Sequence, residues 1–199
     1  MSKWEYRCFV PRAPGFTAVA LAAAQLSGAA QPERRTDEYF ALDADNGLKL
    51  RDSNKQASAK LELKTCQLRL PNGCEQLCRR ELKRDTAGWR DATGPLDPAL
   101  AAVLEAAVTG QPALAVKKQR WAATDPQGVG REVTKLKLGD GGKFLTLSCE
   151  GTDAAAVFAA GSALQRAALA AAGLPPEAAR VCSYAAWVYE QQARRFAAV

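Results

Sequence analysis

Charged and apolar side chains alternate with period two along one segment of this chain after another, and few folds accept that pattern so many times. In Lys3-Trp4-Glu5-Tyr6-Arg7-Cys8-Phe9-Val10, Lys3, Glu5 and Arg7 face one way while Trp4, Tyr6 and Cys8 face the other, which predicts a strand with one charged face. Lys49 and Arg51 share a face between Gly47 and Asp52, as do Lys60, Glu62 and Lys64 between Ala57 and Thr65. Lys118 and Arg120 do the same between Ala113 and Ala122, and Lys135 and Lys137 between Arg131 and Leu138. One such face is an ordinary solvated sheet surface. Its repetition on strand after strand asks for a common container.

Further segments from Thr36 to Leu42, Cys74 to Lys83 and Lys143 to Glu150 bring the predicted strands to eight. Pro71-Asn72-Gly73 and Gly139-Asp140-Gly141-Gly142 supply the residues that tight hairpin turns demand. Helical spacing appears in Phe16, Val19, Ala20, Ala23 and Leu26, ending at Gly28. It returns in Leu100, Val103, Leu104 and Ala107, opened by Asp97-Pro98 and closed by Gly110. An Ala-rich helix is predicted from a Thr152 cap to Gly173, and a final helix after Pro175-Pro176 carries Tyr184, Trp187 and Val188.

If the eight strands close on themselves, every second residue enters the lumen, and outward apolar residues such as Leu61, Leu63 and Leu145 need helices to cover them. The opposite arrangement, with an apolar lumen and charges in water, leaves the apolar faces of the helices little to pack against. The expectation is therefore an α+β fold: a closed eight-stranded antiparallel β-barrel, or tunnel, with helices packed on the outside, in a single domain spanning residues 1–199. Like-signed amines and guanidinia inside a narrow lumen repel one another until an anion neutralises them. A triphosphate or polyphosphate matches that need, because Arg binds phosphate oxygens as a planar fork and Lys as a point charge.

Composition narrows the chemistry. There is no histidine, so the commonest general base and the commonest zinc ligand are both missing. The net charge of +6 suits an acidic partner. The six cysteines contain no CxxC pair, which argues against a zinc ribbon and for reduced thiols in the cytoplasm or another reducing intracellular compartment. Thr17 to Ala24 imitates a signal-peptide core, but the strand-like segment before it assigns it to a helix of the fold. No apolar run is expected to cross a bilayer, so no membrane partner is expected. Nucleic acid is also not expected as a partner, since the basic residues are predicted to face inward and the outer face lacks an aromatic platform.

On these residues the chain resembles the CYTH, or triphosphate tunnel metalloenzyme, superfamily, which includes thiamine triphosphatases, inorganic triphosphatases and class IV adenylate cyclases. Lys3-Trp4-Glu5-Tyr6-Arg7 stands in the place of the family's opening ExExK strand. Asp37-Glu38-Tyr39-Phe40 resembles its DxYF/Y strand, Leu48-Lys49-Leu50-Arg51 its LRLR strand, and Leu61-Glu62-Leu63-Lys64 its ELK strand. Lys118-Gln119-Arg120 resembles its KxR, Leu147-Ser148-Cys149-Glu150 its closing ExE, and Ser183-Tyr184 with Trp187 its C-terminal aromatic segment.

The resemblance implies a Mg2+ or Mn2+ ion held by Glu5, Glu62 and Glu150, which would be both metal-binding and catalytic. It also implies a phosphate clamp of Arg7, Lys49, Arg51, Lys60, Lys64, Lys118 and Arg120. Two departures touch the metal: Lys3 and Ser148 stand where the family pattern has acids. Three readings stay open on sequence alone. One is a metal-dependent triphosphatase, one a non-catalytic module that binds polyphosphate or a phosphorylated ligand, and one an interaction subunit whose tunnel residues pair with each other.

Overall fold

The computed structural model describes residues 2–28, 31–51, 60–82 and 114–196. The predicted helix opened by Asp97 lies outside the described residues. The strands are β1 (Ser2–Pro11), β2 (Glu33–Ala41), β3 (Asn46–Arg51), β4 (Lys60–Arg69), β5 (Glu75–Leu82), β6 (Leu114–Thr124), β7 (Gly130–Leu138) and β8 (Lys143–Gly151). They run in the order β5-β4-β3-β2-β6-β7-β8-β1, and β1 pairs back to β5, so the sheet is a closed antiparallel barrel. Closure removes the exposed strand edges that an open sheet would have to protect.

The free edge of β1 is shared between two partners. Ser2 to Glu5 pair with β5, while Cys8 and Phe9 pair with a two-residue strand, β9 (Arg180–Val181). The turn from β4 to β5 uses Gly73 at φ +83°, and the Asn72 side chain accepts a hydrogen bond from the Cys74 amide at 3.0 Å. Both features follow from Pro71-Asn72-Gly73.

Helix α1 (Phe16–Ala23) and helix α2 (Ala154–Ala171) lie on the outside of the barrel. They cover the outward side chains of β1 (Tyr6, Cys8, Val10), of β7 (Val133) and of β8 (Leu145, Leu147, Cys149) with Phe16, Ala20, Val157, Leu164, Ala168 and Leu169. Burying each large side chain in such a layer contributes roughly 1.5–3 kcal/mol. Gly161 permits the close approach of α2, since a Cβ there would overlap the Tyr6 ring. The cap of α2 is Asp153, whose carboxylate accepts from the Ala156 amide at 3.0 Å, one residue beyond the expected Thr152. Contrary to expectation, α2 is long and apolar enough to cross a membrane, with a mean hydropathy of 1.3. In this fold its apolar side packs on the barrel.

The C-terminal segment departs further from expectation. Pro176–Ala178 forms a single 3-10 turn, β9 follows, and helix α3 (Tyr184–Phe196) begins only after it. This helix does not coat the wall. It closes one end of the barrel, where Tyr184, Trp187 and Val188 join Phe9, Tyr39, Leu114, Val116, Leu136 and Leu138 from the inner faces of four strands. Phe9 stacks on Trp187 with ring centroids 4.6 Å apart. All six cysteines are free thiols.

Candidate functional site

The plug explains the chemistry of the lumen, because each inward face changes character along its strand. On β6, Leu114 and Val116 lie in the plug and are followed by Lys118 and Arg120; on β1, Phe9 lies in the plug and Arg7 and Glu5 precede it. The lumen is apolar at its closed end and charged towards its open end.

This gradient corrects one expectation. Lys135 and Lys137 do not enter the lumen; Glu132, Thr134, Leu136 and Leu138 do, the last two because they pack in the plug beside Trp187. Where the lumen is apolar, the charged phase of a strand is the outer one.

The charged half gathers most of the predicted residues. Glu5, Arg7, Lys49, Arg51, Lys64, Lys118, Arg120 and Glu150 line one cavity, together with Arg35, Tyr39, Arg79, Glu132 and Tyr184. Glu62 is buried behind it, 2.8 Å from Lys49 Nζ. Lys60 opens β4, but its side chain lies outside the described residues.

Among the described residues eight cations of this half, Arg79 included at 3.9 Å from Glu62, share five carboxylates in one connected network. Arg7 bonds Glu5 at 2.9 Å and Glu132 at 3.2 Å, while Lys64 takes the other Glu5 oxygen at 3.1 Å. Arg120 meets Glu132 at 2.6 Å and Glu33 at 3.3 Å. Glu33 also holds Arg35 at 2.7 Å and Arg51 at 3.0 Å. Lys118 reaches Asp37 at 3.0 Å and donates to the Tyr39 hydroxyl. The tunnel is thus not a column of bare cations, and the repulsion expected from the sequence is largely offset from within.

Three of the five carboxylates, Glu33, Asp37 and Glu132, were not among the predicted site residues. Glu33, Arg35 and Asp37 do alternate with period two, and the strand simply starts three residues before the expected Thr36. Glu132 was hidden by the choice of phase on β7. Tyr184 adds a ring face at the floor of the charged half, with Arg7 Cζ 4.5 Å and Lys118 Nζ 4.0 Å from its centroid.

Protonation follows from this packing. Burial alone would raise Glu5, but the charges and hydrogen bonds of Arg7 and Lys64 outweigh it and hold the carboxyl down at about 2. Asp37 is likewise held at about 2 against burial, chiefly by Lys118, Lys49 and Arg35. Burial dominates for two amines. Lys49 is pulled down to about 8 by burial and by repulsion from Lys118, in spite of Glu62. Lys118 is pulled down to about 8 by burial, in spite of Asp37. These two ammonium groups are the part of the network left short of negative charge.

The register places Glu5 directly opposite Glu150 on β8 and both line the cavity, but the two carboxylates are taken by different cations. Glu150 pairs with Lys3 at 3.2 Å at the open end, and Glu62 pairs with Lys49. Among the described residues no group of three or more carboxylates or thiols forms a metal site. Both oxygens of Glu5 are already occupied by cations, so the acids as arranged do not fit a resident Mg2+ or Mn2+.

No family model matches the sequence, and a comparison with curated proteins finds no match either. Solved structures do match. An adenylyl cyclase candidate from Hippeastrum, described as having a dominant triphosphatase activity, is similar at 13% identity and a TM-score of 0.55, over 96% of each chain. The protein PH1819 from Pyrococcus horikoshii is similar at 13% identity and a TM-score of 0.50, over 94% of this chain and 99% of its own. At such identities the likeness is one of fold. Together with the closed eight-stranded barrel it establishes that the chain has the triphosphate tunnel fold.

Proposed function

We propose that this protein, which has the triphosphate tunnel fold, grips a triphosphate or the end of a polyphosphate chain in the charged half of its lumen. The observation that carries the reading is the convergence of Arg7, Arg35, Lys49, Arg51, Lys118 and Arg120 on one cavity, closed on the far side by an aromatic and apolar floor. Guanidinium forks and ammonium groups are the donors that phosphate oxygens require. The carboxylates of the network act as place-holders: they keep the cations extended into the lumen, and the anion takes over some of their bonds when it enters. Because Lys49 and Lys118 lack full compensation, an anion that reaches them gains more than it displaces.

Isothermal calorimetry with tripolyphosphate in the presence of EDTA tests this. Binding is expected without any divalent cation, and Arg120→Ala should weaken it about tenfold or more, since a charged hydrogen bond contributes roughly 1.5–3 kcal/mol. Binding that appears only with Mg2+ or Mn2+ contradicts the reading.

The activity described for the Hippeastrum protein favours a second reading, in which the bound triphosphate is hydrolysed. Its test is phosphate release from tripolyphosphate, thiamine triphosphate and ATP, with and without Mg2+ or Mn2+. Release no greater than that of a Glu5→Gln, Glu150→Gln double variant rejects it.

A further inference from the structure

The lysines that turned out to face outward are not scattered. In the strand register Lys117 of β6 lies opposite Lys137 of β7, and Lys137 lies opposite Lys143 of β8, so three lysines form one row across three adjacent strands. One row away along the strands, Arg34 of β2 lies opposite Gln119, which lies opposite Lys135. Arg12 joins them from the chain beyond β1, where its amide donates to the Lys143 carbonyl at 3.0 Å.

Like charges directly opposite on a sheet are unfavourable, and a surface with no use for them would interleave acids. Here the outward acids flank the rows: Glu38 lies one row beyond Thr36, and Asp140 sits in the turn after β7. Among the described residues none of the six cations has a carboxylate within ion-pair distance. Lys135 lies over the Trp121 ring, 5.3 Å from its centroid.

We infer that this outer face is a second anion site, separate from the tunnel, which takes the phosphodiester backbone of a nucleic acid without regard to base sequence. Rows of cations about 5 Å apart across the strands and about 7 Å apart along them suit a flexible polymer that carries one charge per residue. A membrane surface suits the face less well, because the exposed large apolar residues among those described, Leu68 and Tyr189, lie on other elements and offer it no anchor. Among the described residues this face has no free aromatic platform, which argues for contact with backbone and not with bases, since Trp121 is engaged with the outer core and Lys135. The tunnel wall separates the two sites: Lys117 points out where Lys118 points in. The inference stands independently of the tunnel reading.

Fluorescence anisotropy with a short labelled single-stranded DNA, measured over a salt series, tests it on the full chain. Binding should weaken steeply with salt. A Lys117→Glu, Lys137→Glu, Lys143→Glu variant should bind about tenfold or more weakly at low salt, with a log-log salt slope shallower by about 2, at about 0.7 per lost phosphate contact. The same variant should keep the melting temperature and the tripolyphosphate affinity of the parent protein. If the triple Glu variant fails to fold, the triple Gln variant carries the test through the same change in slope. Unchanged DNA affinity in the variant overturns the inference. So does binding by the parent protein to phosphatidylserine vesicles alone, with none to DNA.

Discussion

Lys117 and Lys118 are neighbours in the chain, and the wall of the barrel puts them in two different electrostatic regimes. Lys118 is almost wholly buried and is surrounded by fixed partners: Asp37, the Tyr39 hydroxyl and the Tyr184 ring. Lys117 stands in water opposite another lysine, with no carboxylate partner among the described residues. Water solvates the outer cations and salt screens them, so the fold tolerates a row of like charges there. Inside, neither help is at hand, and desolvating an ammonium or guanidinium costs several kcal/mol unless a partner is placed within reach. Glu33, Asp37 and Glu132 supply those partners. A count of basic residues therefore says little about how strongly a region attracts anions; the outer row is short and bare, and the inner cluster is large and mostly compensated.

The largest contrast is expected between removing a carboxylate from the inside and removing a charge from the outside. Asp37→Asn strands Lys118 in a buried site and is expected to destabilise the protein by about 3 kcal/mol. Lys117→Ala is expected to shift stability by less than about 0.5 kcal/mol. Urea unfolding of the two variants checks both, and equal effects would mean that inside and outside do not differ in the cost of an unpaired charge.

An effect of intermediate size is expected on titration. Lys49 and Lys118 have folded-state values of about 8, below the 10.5 of a free lysine. Between those values the unfolded chain holds more protons than the folded one, so the contribution of these two groups to stability rises with pH across that window. Anion binding moves the other way: the lumen loses positive charge above about pH 8, and tripolyphosphate affinity should fall there. Binding near pH 8 should also take up protons, which calorimetry in buffers of differing ionisation enthalpy measures directly. Lys49→Met should reduce both the proton uptake and the pH dependence.

The smallest expected effect is at the open end. The Lys3 and Glu150 side chains are both about half exposed and pair at 3.2 Å, so Lys3→Ala should change stability by less than about 1 kcal/mol. Its effect on tripolyphosphate affinity should be smaller than that of Arg120→Ala, which removes a guanidinium from deeper in the lumen.

Much of the container was legible because it rests on local rules. Alternation along Lys3 to Val10 set the inner and outer faces of β1, Pro71-Asn72-Gly73 set a hairpin, and the outward Leu145 required a helical cover. Most of the predicted phosphate clamp falls on the cavity wall for the same reason: a period of two leaves only two choices of face. The choice itself was the weak point. On β7 both faces mix charged and apolar residues, and a preference for charge selected Lys135 and Lys137 over Glu132 and Thr134.

Local patterning along the chain dictates two-faced strands and helices, and with them a closed barrel of alternating residues. Which face is which at each height of the lumen depends on long-range packing. The physical reason is the plug: once Tyr184, Trp187 and Val188 enter one end, the inward positions there must be apolar and their charged neighbours must turn to water. The partnerships of the charged half were decided at the same level. Glu33 meets Arg120 and Arg51 across two different strand neighbours, and Glu132 joins Arg7 to Arg120 across the lumen. No spacing along the chain encodes such contacts; they exist because closing the barrel brings distant strands within the reach of one side chain.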